Sequence, residues 1–259
     1  MDRQTPRRTI VAIGGGQIGR PGKPCETTEI DREIVALARK PRPRLLFIPT
    51  ASLDSEEYIE AVNRQFGDRL GCAVDCLCLL GRPLSQPDIR KRILAADIIY
   101  VGGGDTPNML RRWRRFGVDL ALKEAWERGI VLSGVSAGAM CWFRYGLSGG
   151  KPGGRKATRV TGLGLVPALC CPHYDSGEGR RPDLERVMRR TSGVALALDN
   201  CCALHIAGDG YRMLPSPPTA RAYRAFWRRG VFEELPITDA ADPQPLADLL
   251  IRRERGARQ

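Results

Sequence analysis

Residues 130–140 read IVLSGVSAGAM, an apolar run, a tight glycine turn and the start of a helix. Ile130 to Leu132 is a short apolar, β-favouring segment, and directly behind it Gly134-x-Ser136-x-Gly138 has the spacing of a nucleophile elbow. In that turn a serine sits between strand and helix with its hydroxyl held clear of the carboxyl edge of a sheet. Glycine is needed on both sides because side chains there would collide with neighbouring backbone. The free N–H groups at the start of the following helix favour a developing oxyanion. A glycine-rich turn with a helix-capping serine is the plain alternative, but the preceding strand and the small Ala137 favour a catalytic Ser136.

The flanking sequence repeats the same unit of strand, glycine turn and helix. Thr9 to Ile13 runs into Gly14-Gly15-Gly16, and Glu26 to Arg39 places Ile30, Ile34, Val35 and Leu37 on one helical face. Strands are expected at Leu45 to Ile48, Ala73 to Leu79 and Ile98 to Val101, with helices over Ser55 to Phe66 and Gln86 to Ala95. Gly102-Gly103-Gly104-Asp105-Thr106 follows the last of these strands and precedes one long helical stretch closed by Gly129. Such units imply right-handed crossovers, and therefore a three-layer α/β fold with a mostly parallel sheet flanked by helices. Further on, Leu165 to Cys171 and Val194 to Ala197 are strands around a helix over Asp183 to Arg190, and Ala203 to Ile206 with Tyr211 to Leu214 form a hairpin. The run SGGKPGGRK over 148–156 reads as a surface loop, and the whole 259-residue chain as one domain with a core over 8–215 and an extension over 216–259.

A serine hydroxyl needs a base, and the chain holds two histidines, His173 and His205. His173 follows Cys171-Pro172 at a strand end, where the ligand-facing loops of an open α/β sheet gather. His205 lies inside a strand and reads as a structural residue. His173 is therefore the expected base. Asp175, Glu178 and Asp199 are all in range to orient its imidazole, with Asp175 favoured. The glycines at 102–104 offer backbone donors for a second oxyanion contact. They lack the Lys and Ser/Thr of a phosphate-binding P-loop, and Gly14 to Gly19 matches a dinucleotide fingerprint only loosely.

The totals narrow the classes further. The formal net charge is +12, but all except six of the 41 basic residues are arginine and they are spread along the chain, so nucleic-acid binding is not the expected role. No window is long and apolar enough to span a membrane, and the N-terminus lacks an apolar signal core, so a cytoplasmic location is expected. Nine cysteines without metal-ligand spacing read as reduced thiols, and neither a metal nor an organic cofactor is expected.

Taken together, Gly14-Gly15-Gly16, Ile48-Pro49-Thr50-Ala51-Ser52, Val101 to Thr106, Gly134 to Ala139 and Pro172-His173-Tyr174-Asp175 resemble, in order, the peptidase E and cyanophycinase family of serine peptidases, whose domain is similar to class I glutamine amidotransferases. The resemblance covers roughly residues 8–215. It implies Ser136 as nucleophile, His173 as catalytic histidine, and an oxyanion hole from the N–H groups of Gly104 and Ala137. It also implies amide cleavage beside acidic residues in short peptides. Asp105 is a candidate substrate contact, and Arg180 and Arg181, just beyond the histidine, are candidates to read such a carboxylate through bidentate contacts.

One departure stands out: where the family carries an Asp or Glu after the serine, this chain has Gly149, Gly150, Lys151 and Gly154. Either Asp175 or another acid substitutes, or the enzyme works as a dyad, or activity has decayed. The expected function is hydrolysis of short peptides, with a homodimer allowed as the assembled state and a non-catalytic relative that binds a small ligand or partner in the same pocket as the competing class. An ordinary α/β-hydrolase would carry its histidine much further downstream than the 37 positions separating Ser136 from His173, and an amidotransferase would carry cysteine in place of Ser136.

Overall fold

The computed structural model describes residues 7–81, 84–149, 156–177, 179–238, 240 and 242–251. In chain order the elements are β1 (Thr9–Ile13), α1 (Thr28–Leu37), β2 (Arg44–Ile48), α2 (Glu56–Val62), β3 (Ala73–Cys76), α3 (Gln86–Ala95), β4 (Ile98–Val101), α4 (Thr106–Phe116), α5 (Val118–Glu127), β5 (Val131–Val135) and α6 (Ala137–Met140). They continue with β6 (Phe143–Ser148), β7 (Thr158–Thr161), β8 (Val166–Cys171), α7 (Arg180–Met188), β9 (Ala195–Leu198), β10 (Cys202–Ala207), β11 (Gly210–Pro215), β12 (Ala222–Arg228), β13 (Val231–Pro236), β14 (Gln244–Pro245) and α8 (Leu246–Leu250). No helix among the described residues is long and apolar enough to cross a membrane.

The α/β architecture expected from the sequence is present, and its strands divide between two sheets. The first runs β14-β11-β10-β1-β5-β4-β2-β3, with the five strands from β1 to β3 parallel and the other three antiparallel. The second runs β13-β12-β9-β8-β6-β7, with β6, β8 and β9 parallel. No strand is expected after Leu214, yet β12 and β13 extend the second sheet from β9, so most of the described C-terminal extension is part of the fold. The long helical stretch after Gly104 is two helices, because Gly117 takes a left-handed φ of 73° and caps α4.

Alternation along the strands produces the layers. Leu45 and Phe47, with Ile98 and Tyr100, face Ile30 and Ile34 of α1 and Tyr58 and Val62 of α2, together with Phe66 just beyond it. The intervening Leu46, Ile48, Ile99 and Val101 face the opposite way, toward α3, α4 and α5 and the inner side of the second sheet, including Cys170, Leu196 and Phe226. The outer side of the second sheet packs Leu169, Cys171 and Ala195 against Leu184, Val187 and Met188 of α7. At about 0.8 kcal/mol per buried methylene, these continuous apolar layers are the main favourable contribution to holding the two sheets together.

The loops after β1, β4 and β5 leave the same edge of the first sheet, because those strands are adjacent and parallel. Main-chain hydrogen bonds then hold the β1 loop against the loops that follow β8 and β9 of the second sheet and, at Cys202, against the neighbouring β10 of the first. The His173 N–H donates to Gly14 O at 3.0 Å, the Cys201 N–H to Gly15 O at 2.9 Å, and the Gly14 N–H to Cys202 O at 2.8 Å.

Candidate active site

Ser136 stands between β5 and α6, with its N–H donating to Ile13 O at 3.0 Å. Its φ of 56° and ψ of −108° lie in a region unfavourable for any residue with a side chain. The turn closes that tightly because both flanking glycines are pressed against backbone. A Cβ on Gly138 would lie 2.1 Å from Val101 O, and one on Gly134 2.6 Å from Gly138 O. His173, at the end of β8, also has a positive φ, 55°, and its Nε2 lies 2.8 Å from Ser136 Oγ. The two residues singled out in the sequence therefore meet, one delivered by each sheet.

The other ring nitrogen departs from expectation. His173 Nδ1 lies 2.7 Å from Asn200 Oδ1, so an amide occupies the place anticipated for Asp175. Asp175 is one step further out: its Oδ1 accepts from the Asn200 backbone N–H at 2.9 Å and from Asn200 Nδ2 at 2.8 Å. Asp199 points elsewhere, accepting from the Arg221 N–H at 2.9 Å, and Glu178 lies outside the described residues. Asn200 is not a carboxylate, the residue type expected to orient the imidazole. Its signal was positional, since it follows the end of β9 just as His173 follows β8.

Burial lowers the basicity of His173 below that of an ordinary histidine; the Asn200 hydrogen bond works the other way, Arg180 adds to the lowering and Asp175 opposes it. A neutral imidazole with Nδ1–H held by the Asn200 oxygen presents a bare Nε2 to the serine hydroxyl. This arrangement can accept the proton of Ser136 as its oxygen attacks.

The pair opens into a cavity of about 780 Å³ lined by Gly104, Asp105, Met140, Leu147, Lys156 and Arg180 among others. Gly104 has a φ of 145° and a Cβ on it would lie 2.0 Å from Ala51 O, so only glycine fits there. The amides on either side of it are engaged: Gly103 N–H donates to the Tyr58 hydroxyl at 3.3 Å and Asp105 N–H to Ala51 O at 2.8 Å. Ala137 is the first residue of α6, where a helical N–H has no carbonyl of its own turn to meet. Asp105 lines the cavity while its Oδ1 caps α4 by accepting from the Asn108 N–H at 2.9 Å.

The two arginines separate. Arg180 is 6% exposed and donates to Pro172 O, Gly149 O and Leu147 O at 2.6 to 2.9 Å, clamping the histidine loop to the end of β6. It is a wall of the pocket with most of its donors engaged, in place of the free reading head expected. Arg181 is absent from the lining and pairs with Glu234 at 3.1 Å. His205 is structural, as expected: its Nδ1 accepts from Arg212 Nε at 3.0 Å, and burial followed by the charges of Arg212 and Arg7 draws its pKa down to about 4. The Gly14 turn, loosely like a dinucleotide loop in sequence, packs against Asn200 and His173. Of the surface loop read over 148–156, residues 150–155 lie outside the described residues. Among the described residues no group of three or more His, Cys, Asp or Glu is placed to hold a metal ion.

Fold and site together define an α/β protein with a serine–histidine pair at the carboxyl edge of its central parallel strands. The chain belongs to Peptidase family S51, which matches residues 10–214, and it is accordingly a peptidase. It is 35% identical over 234 residues to the uncharacterized peptidase YgaJ of Bacillus subtilis (strain 168), covering 89% of this chain and 97% of that one. It is 30% identical over 175 residues to Peptidase E of Streptomyces coelicolor, covering 64% and 69% of the two chains. A crystal structure of a peptidase from an acI-B1 Actinobacterium shares the fold with a TM-score of 0.70 at 21% identity, covering 95% of this chain and 100% of that one. A putative peptidase E from Listeria monocytogenes EGD-e does so at 0.60 and 20%, covering 81% and 98%.

Proposed function

We propose that the protein is a serine peptidase of short peptides in which Ser136 is the nucleophile and His173 the general base. The observation that carries this reading is the 2.8 Å contact between Ser136 Oγ and His173 Nε2 at the floor of the cavity. Ser136 Oγ bonds to the scissile carbonyl carbon as its proton passes to Nε2, and the imidazolium then protonates the departing amine. Water, deprotonated by the same imidazole, attacks the acyl-enzyme and releases the acid. Asn200 holds Nδ1–H through both steps, and the Gly104 and Ala137 N–H groups are the donors for the tetrahedral oxyanion. In this reading Ser136 occupies a nucleophile elbow.

The substrate class is peptides with an acidic N-terminal residue. Lys156 and Arg180 give the cavity wall a positive character suited to a side-chain carboxylate, and Asp105 is the acidic group available to a free α-ammonium. Two measurements test the reading. A serine-directed fluorophosphonate should label Ser136 in the wild type and not in His173→Ala, and Asp-X dipeptides should be cleaved faster than Ala-X or Lys-X. An unreactive Ser136 would replace this reading with that of a binding protein using the same pocket.

A further inference from the structure

We propose that Asp175 is a positioning residue that fixes which end of the Asn200 amide faces His173 and thereby selects the imidazole tautomer, a role that rests on the serine–histidine reading above. A carboxylate accepts hydrogen bonds and donates none, whereas a primary amide is nearly the same shape whichever way round it sits. Left to itself, Asn200 could present either its oxygen or its NH2 group to the ring.

The contacts around it remove that freedom. Asn200 Nδ2 donates to Asp175 Oδ1 and to Ser176 Oγ, both at 2.8 Å, and the Asn200 backbone N–H donates to the same Asp175 oxygen at 2.9 Å. Reversing the amide would set its oxygen against the carboxylate oxygen. Ser176 cannot discriminate, because a hydroxyl donates or accepts equally well. Asp175 therefore sends the NH2 group outward and the oxygen inward, where it lies 2.7 Å from His173 Nδ1.

The reversed amide would donate to Nδ1 and leave the ring proton on Nε2. Nε2 would then offer Ser136 a donor where the reaction needs an acceptor. The pairing also accounts for the residue type at 200. A carboxylate there would sit beside that of Asp175, so the neutral amide and the outer acid form a matched set delivered by two strand ends.

The test is 15N spectroscopy of the imidazoles in the resting protein, which needs no substrate and has only two histidines to assign. His205 is an internal reference, because Arg212 donates to its Nδ1 and so places its proton on Nε2. The expectation is opposite tautomers in the wild type, with His173 carrying its proton on Nδ1. In Asp175→Asn the His173 signal should move toward the Nε2–H form, and kcat should fall on the order of a hundredfold or more with KM little changed. The double variant Asp175→Asn with Asn200→Asp should regain the Nδ1–H form and most of kcat, because a carboxylate at 200 can only accept. An Nε2–H tautomer in the wild type, or an unchanged Nδ1–H tautomer in folded Asp175→Asn, overturns the role. Should the wild type cleave no peptide, the peptidase reading fails while the spectra still decide the role of Asp175.

Discussion

A Cβ on Gly15 would stand 2.0 Å from Asn200 Oδ1 and 2.4 Å from His173 Nδ1, so the bare Cα of the first glycine turn is one wall of the slot that holds the orienting contact. The atoms in the way are side-chain ends, and Gly15 does not take a positive φ. Gly15→Ala should therefore fold, with a melting temperature within a few degrees of wild type, while kcat/KM falls about a hundredfold or more as the ring and amide are pushed aside. Thermal melts and steady-state kinetics on one preparation check this; a fully active variant would show that the slot has slack.

The backbone of Ser136 carries a strain of about 1–3 kcal/mol that only glycine escapes. Ser136→Ala and Ser136→Gly should both be inert, but the glycine variant should be the more stable of the two by roughly 1 kcal/mol, despite the greater chain entropy of glycine. Denaturant titrations of the two variants give the comparison. Equal stability would mean that the turn is relaxed.

Burial holds the His173 pKa below the ordinary 6.5, so the neutral, proton-accepting form persists on the acid side of neutrality. The acid limb of kcat/KM should accordingly fall below pH 6.5 when measured on a peptide without groups titrating in that range. An acid limb above that value would be evidence against the buried imidazole as base. The folded state also binds fewer protons than the unfolded chain at His173 and at His205, which is drawn down to about 4. Their contribution to stability is complete above the unfolded value near 6.5 and should be lost as pH falls toward 4, which melting curves across that window would record.

Arg180 satisfies three carbonyls from two segments. Lysine has a single ammonium on a flexible stem and cannot reach all three, so Arg180→Lys should destabilise by roughly 2 kcal/mol or more and lower activity through a displaced His173 loop. A variant of wild-type stability and reduced affinity for acidic peptides alone would instead assign Arg180 to substrate reading.

The parallel half of the fold was legible because β1, β2, β4 and β5 are short apolar runs punctuated by glycine or proline, and α3 occupies Gln86–Ala95, the span expected for it. Ser136 and His173 were legible for the same reason: strand ends before glycine or proline point to one edge of such a sheet. Strands β6, β12 and β13 were not, since their mixed sequences, such as AYRAFWR and VFEELP, bury one side only partly and lack a clean period of two. Asn200 escaped because its partner is 27 positions away, a relation made by the pairing of β8 with β9 and not by spacing along the chain.

Ser136 arrives on the first sheet, and His173 and Asn200 on the second. A nascent chain that has completed only its early strands carries an unactivated alcohol without a proton acceptor. On the proposed mechanism, hydrolytic competence is thereby deferred until the two sheets have docked, and a half-built molecule has no means of cutting its neighbours.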